Sequence, residues 1–120
     1  MGHVYVNAQL EGTKGMEMVT MLVDTGATLS AIPENLAERI GVPKLGPKKV
    51  QLANGQEFNV QFGVVNIKIN GREAPTTVLI VGNEPLLGVE TLETLGLKVN
   101  PLTGGLEPSR SFALRLGFRI

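Results

Sequence analysis

Hydrophobic positions recur mostly at every second residue. Val4, Val6, Ala8 and Leu10 alternate with Tyr5, Asn7 and Gln9, the period of a strand with one buried face. Glu11–Gly15 reads as a turn and Met16–Val23 as a second strand. The end of that strand, Met21-Leu22-Val23, is apolar on both faces, which predicts burial on both sides. Thr28–Ile32 is extended. Pro33 then suits the first position of a helix, with Glu34 in its first turn. Leu36, Ala37 and Ile40 supply an apolar stripe, Gly41 ends the helix and Pro43 prevents its resumption. Lys48–Ala53 and Gln56–Phe62 are strands around Asn54-Gly55, a strong hairpin signal. Val64–Ile69 alternates again, turns at a second Asn-Gly, Asn70-Gly71, and returns as Glu73–Val81. A loop at Gly82–Pro85 leads into Leu86-Leu87-Gly88, a short helix over Glu90–Leu95 closed by Gly96, an extended Leu97–Val99 and a turn at Thr103–Gly105. In the tail, Phe112, Leu114, Leu116, Phe118 and Ile120 lie on one face. Arg115 and Arg119 fall on the other with Ala113 and Gly117, which reads as the solvated face of a strand rather than a phosphate-binding tail.

The pattern is that of a mainly β chain with one or two short helices, and 120 residues make one domain, 1–120. Eleven Lys and Arg balance eleven Asp and Glu, so no net charge points to nucleic acid or an anionic membrane as partner. With no Cys and a single His, His3, disulfide scaffolds, thiolate metal sites and Cys nucleophiles are excluded, and a Ser–His–Asp triad is not expected. Glu90 and Glu93 lack His partners and read as the solvated face of their helix, so neither metal nor cofactor is expected. The apolar runs fall far short of the roughly 20 residues of a membrane helix. No basic start is paired with an apolar stretch as in a signal peptide, and a soluble, cytoplasmic protein is the expectation.

Ten of the eleven acidic residues are Glu; the only Asp is Asp24. It directly follows an apolar strand, where an unpaired charge is costly. Thr25-Gly26 then makes a turn of small residues whose backbone N–H groups can point at the carboxylate and hold it ionised. By itself the triplet is also ordinary turn chemistry.

More than the triplet is present. Met21–Ala27, two or more apolar residues and then Asp-Thr-Gly-Ala, resembles the active-site strand and loop of the retropepsin-like (retroviral-type) aspartic proteases. The resemblance continues in order through the hairpin at Gln51–Asn59, the apolar Val78–Val81, then Pro85-Leu86-Leu87-Gly88 and Thr91–Gly96. It covers about residues 4–100, leaving 101–120 as a carboxyl-terminal hairpin or strand extension. It implies an all-β acid-protease barrel and an endopeptidase with two facing aspartates, one from each subunit of a homodimer, sharing a proton. With one Asp per chain, Asp24 would meet its symmetry mate at the two-fold axis. Such a dyad favours the acidic side of neutral pH.

The resemblance also assigns roles. Thr25 would reach across the axis, the alternative being a local turn hydrogen bond. Gly26 would present its backbone to substrate, and Ala27 would line the cleft. Ala53, Asn54 and Gly55 would form the tip of a flap over an extended peptide bound by strand addition. Leu86 would pack beside the loop and reach a substrate pocket. Leu87 and Gly88 would support the loop, with Leu87 read as core. Retroviral enzymes usually carry Asp after Asp-Thr-Gly-Ala and Arg after the late Gly. Here Thr28 and Val89 stand there, so both members of that ion pair are absent together. This looks more like the cellular and prokaryotic branch. The terminal Phe112–Ile120 strand would either seal the dimer or pack on its own subunit. Two other readings stay open: an inactive peptide-binding or dimerisation module on the same fold, and an unrelated ligand-binding barrel with Asp24 as a turn residue.

Overall fold

The computed structural model describes residues 3–51 and 54–109. Among the described residues nine strands and two helices follow in the order β1 (Tyr5–Glu11), β2 (Met16–Val23), β3 (Ser30–Ile32), α1 (Glu34–Ile40), β4 (Pro47–Gln51), β5 (Glu57–Ile69), β6 (Arg72–Ile80), β7 (Leu86–Leu87), α2 (Val89–Leu95), β8 (Leu97–Val99) and β9 (Leu106–Pro108). Seven strands form one sheet in the order β1-β2-β7-β3-β6-β5-β4. A second pairing of β1, with β5, joins Gln9 to Lys68, Leu10 to Ile67 and Glu11 to Asn66. That pairing closes six of the strands into a barrel, leaving β4 as an outlying partner of β5. Closure removes the exposed edges an open sheet would leave.

Alternation selects the interior. Ala8 and Leu10 of β1, Val65, Ile67 and Ile69 of β5, and Ala74, Val78 and Ile80 of β6 are buried. They join Met21, Ile32 and Leu87 and the helix residues Leu36, Ala37, Ile40, Leu92 and Leu95 in one core. Each fully buried Leu or Ile contributes about 1.5–3 kcal/mol relative to exposure. At the end of β2, Met21 is buried while Leu22 on the opposite face is only half-covered. The expected burial on both sides is therefore incomplete, because β2 is a barrel wall with a single core-facing side.

Helix α1 buries the stripe read from the sequence. It starts at Glu34, one residue later than expected. Pro33 keeps the helix-compatible φ of −63° but has an extended ψ of 153° and stands just outside the helix. Residues 70 and 71 form the two-residue hairpin loop expected of Asn-Gly: Ile69 pairs with Arg72, and Asn70 and Gly71 take φ of 52° and 79°. Both positive values belong to the turn whose twist matches the flanking strands. The other difference lies at Gly63. The sequence pattern predicts separate strands on either side of it, but β5 runs straight through. A Cβ there would lie 2.5 Å from Val42 Cγ1 and 2.8 Å from the Pro43 carbonyl oxygen. Gly63 thus marks a close crossing of chains rather than a break. The expected terminal strand over Phe112–Ile120 lies outside the described residues.

Candidate active site

The site begins where β2 and β7 run side by side. They pair in parallel, Leu22 with Leu86 and Val23 with Leu87, so Asp24 and Gly88 leave the barrel at the same end. The Asp24 N–H donates to the Leu87 carbonyl at 2.9 Å, continuing that pairing one residue further. The chain then turns. The Ala27 N–H reaches the Asp24 carbonyl at 3.1 Å, and the Gly26 N–H donates to Asp24 Oδ1 at 3.0 Å. The sequence predicts such a donor; Gly26 supplies it. A Cβ on Gly26 would press on that same oxygen at 3.3 Å. Asp24 is half-buried, Thr25 and Gly26 are exposed, and Ala27 is half-buried.

Helix α2 fixes the other end of the loop. The first amides of a helix have no partner inside it. Here Val89 N–H donates to Ala27 O and Glu90 N–H to Thr28 O, each at 2.9 Å. The Gly88 N–H donates to Ser30 Oγ at 2.9 Å. Ser30 Oγ lies 2.6 Å from Thr91 Oγ1, which lies 2.7 Å from Thr76 Oγ1. These three side chains are the buried polar residues of the described core, and together they join β3, α2 and β6. Gly88 itself admits no side chain: a Cβ would stand 2.6 Å from the carbonyl carbon and oxygen of Leu29 and 2.9 Å from Ser30 N. The Asp24 loop is therefore held by backbone hydrogen bonds to β7 and α2, and by hydroxyls beneath them.

Sequence reasoning missed Ser30, Thr76 and Thr91. One signal was available: Thr91 shares the buried face of α2 with Leu92 and Leu95, and a hydroxyl on an apolar stripe needs a partner. The replacement of the retroviral-type ion pair by Thr28 and Val89 leaves a half-buried Val89 and an exposed Thr28, so no charge is stranded there.

A cleft of about 480 Å³ opens beside the loop. Its walls are residues 26–29 on one side and 48–51 of β4 on the other, completed by Leu79. Gly26 and Ala27 thus lie in the cleft. Leu86 does not line it; it is half-buried and pairs with both Leu22 and Ala31. Leu87 is fully buried, the core position the sequence suggests. The β4–β5 hairpin ends in a turn in which Asn54 Oδ1 accepts from the Gln56 N–H at 2.9 Å and Gly55 has φ of 85°. Ala53, expected at its tip, lies outside the described residues. Among the described residues no group of three His, Cys, Asp or Glu side chains could hold a metal ion.

The fold has close counterparts. One solved structure, EIAV protease complexed with the inhibitor HBY-793, superposes with a TM-score of 0.67 at 22% identity, over 82% of this chain and 93% of that one. The solution structure of Simian Foamy Virus (mac) protease gives 0.56 at 23% identity, over 76% and 93%. No curated protein matches by sequence. Residues 6–94 match the model of the family described as "gag-polyprotein putative aspartyl protease". That span takes in the barrel, the Asp24 loop and most of α2, and the chain belongs to this aspartyl protease family.

Proposed function

We propose that this chain is an aspartic endopeptidase acting as a homodimer, with Asp24 of each subunit at the two-fold axis. What carries the reading is the count and the place of one residue. A two-carboxylate reaction needs two aspartates, the chain has a single Asp, and that Asp sits on a braced turn beside an open cleft in a protease-family segment. In the reaction, the ionised carboxylate takes a proton from a water held between the pair as the water oxygen attacks the scissile carbonyl carbon. The protonated carboxyl gives its proton to the carbonyl oxygen. The tetrahedral intermediate then collapses, a proton passes to the amide nitrogen, and the C–N bond breaks. Two adjacent carboxyls share one proton because both cannot ionise comfortably, and the pair titrates as a unit. Thr25, exposed next to Asp24, would bond the partner's loop. Gly26 and Ala27 would offer backbone to the peptide, Asn54 and Gly55 would close over it, and Leu86, Leu87 and Gly88 would support the loop.

The test is cleavage of an unfolded protein between about pH 4 and 7 by wild type and Asp24→Asn. Asn keeps the oxygen that accepts from Gly26, so the variant should fold normally. Cleavage by wild type alone, falling faster than linearly on dilution, supports the reading. Equal cleavage by both, or activity at a dilution where the protein is monomeric, refutes it. A dimer that binds peptide yet cuts nothing would make the chain a binding module.

A further inference from the structure

The cleft is charged in a way the chain as a whole is not. Eleven basic and eleven acidic side chains cancel over the sequence, yet among the described residues the charged ones lining the cleft are Lys48 and Lys49, with no carboxylate. Side chains alternate along β4, so the two lysines lie on opposite faces of the hairpin: Lys48 pairs with Val60 and shares its face with Val50 and Phe62, whose partner Leu79 lines the cleft, whereas Lys49 pairs with Asn59 on the face of Glu57. The described salt bridges engage Arg39, Lys44 and Lys98 instead. Lys48 Nζ stands 5.8 Å over the Phe62 ring, a contact that orients the ammonium without neutralising it. Opposite Lys48 the wall is apolar or uncharged, from Gly26 to Leu29. Low-dielectric walls focus the field of charges of one sign into a cleft.

We propose that Lys48 selects peptides that place an acidic side chain, Glu or Asp, in this cleft. The inference rests on the protease reading and adds a substrate class to it. Ala27, Leu29, Val50 and Leu79 cover the methylenes of a Glu, and the Lys48 ammonium meets its carboxylate. A basic side chain at the same place meets a like charge. The selection is electrostatic at a partly open site, so it should be modest and sensitive to salt.

The experiment uses a peptide set based on a sequence that wild type cuts, or on an arbitrary apolar sequence if it cuts none. Each of the four positions on either side of the centre is in turn Glu, Gln or Lys. Cleavage by wild type is followed together with binding of the same peptides to Asp24→Asn by fluorescence anisotropy. At one or more positions Glu should exceed Gln by about two- to fivefold in kcat/KM or affinity, and Lys should fall below Gln. The Glu preference should shrink toward unity in 1 M salt. It should also disappear in Lys48→Gln, reverse in Lys48→Glu and persist in Lys49→Gln. Cleavage indifferent to Glu or Gln at every position, or a preference that survives Lys48→Gln, overturns the proposal and leaves the protease reading intact. Acid-selective binding without cleavage by wild type keeps the selectivity and overturns the protease reading. Absence of both cleavage and selective binding overturns both.

Discussion

Replacing Thr91 by Val removes one oxygen and adds one methyl at the junction of three elements. Thr91 Oγ1 touches Ser30 Oγ at 2.6 Å and Thr76 Oγ1 at 2.7 Å, and all three side chains are buried. After the change Ser30 still accepts from the Gly88 N–H, but it loses its hydroxyl partner on α2, and so does Thr76. A buried polar group left unsatisfied costs about 1–3 kcal/mol. The new methyl would also stand nearer to two oxygens than a carbon can, so α2 must shift. The expected loss is about 2–5 kcal/mol, read from urea unfolding at one fixed protein concentration, because dimerisation would otherwise move the midpoint. At roughly 4 °C per kcal/mol this corresponds to a Tm fall of about 8–20 °C. Thr94→Val is the control. It makes the same atomic change on the same helix, where Thr94 Oγ1 donates to the Glu90 carbonyl near solvent, and should cost no more than about 0.5 kcal/mol. Equal stability of the two variants would refute the claim that the hydroxyl chain braces the Asp24 loop. If the protease reading holds, Thr91→Val should also lower kcat more than it raises KM, since the carboxylate is displaced while the cleft walls remain.

Gly88→Ala forces a Cβ against the backbone of Leu29 and Ser30 and should cost about 3 kcal/mol or more; wild-type stability in thermal unfolding would contradict the close approach. Arg39 hydrogen-bonds Glu17 from Nε and Nη2 at 3.1 and 2.9 Å, and mainly through those bonds holds its carboxyl below the ordinary 4.5. The folded value being the lower one, this stabilisation is present above the unfolded value and is lost as pH falls through the folded value. Wild type should therefore resist urea better than Glu17→Gln at about pH 6 and converge with it by about pH 3. A gap unchanged at the lower pH would mean that the difference is not ionic.

Much of this molecule is determined locally. Alternation in β1, β5 and β6 selects the buried face, because side chains alternate across a strand whatever its partner. The turn at Asn70-Gly71 needs two positive φ values in succession, which few residue pairs supply. The stripe of Leu36, Ala37 and Ile40 fixes which side of α1 meets the core. The single Asp after an apolar strand, read with the later Leu86-Leu87-Gly88, is enough to indicate the protease family from the chain alone. Other features are decided by chain segments that no local pattern links. Period two states which face is buried but not which strand lies alongside, so the β1–β5 closure and the parallel β2–β7 pair emerge only when the whole barrel satisfies its backbone hydrogen bonds. Ser30 and Thr91 are 61 residues apart in sequence. Their mutual need as buried hydroxyls exists only once β3 and α2 are packed. Gly63 reads as a strand break because its close neighbours, Val42 and Pro43, are distant in the chain. The cleft, too, is made by tertiary structure: residues 26–29 and 48–51 face each other only because β4 is carried on the end of β5, and that arrangement sets Lys48 opposite the loop of Asp24.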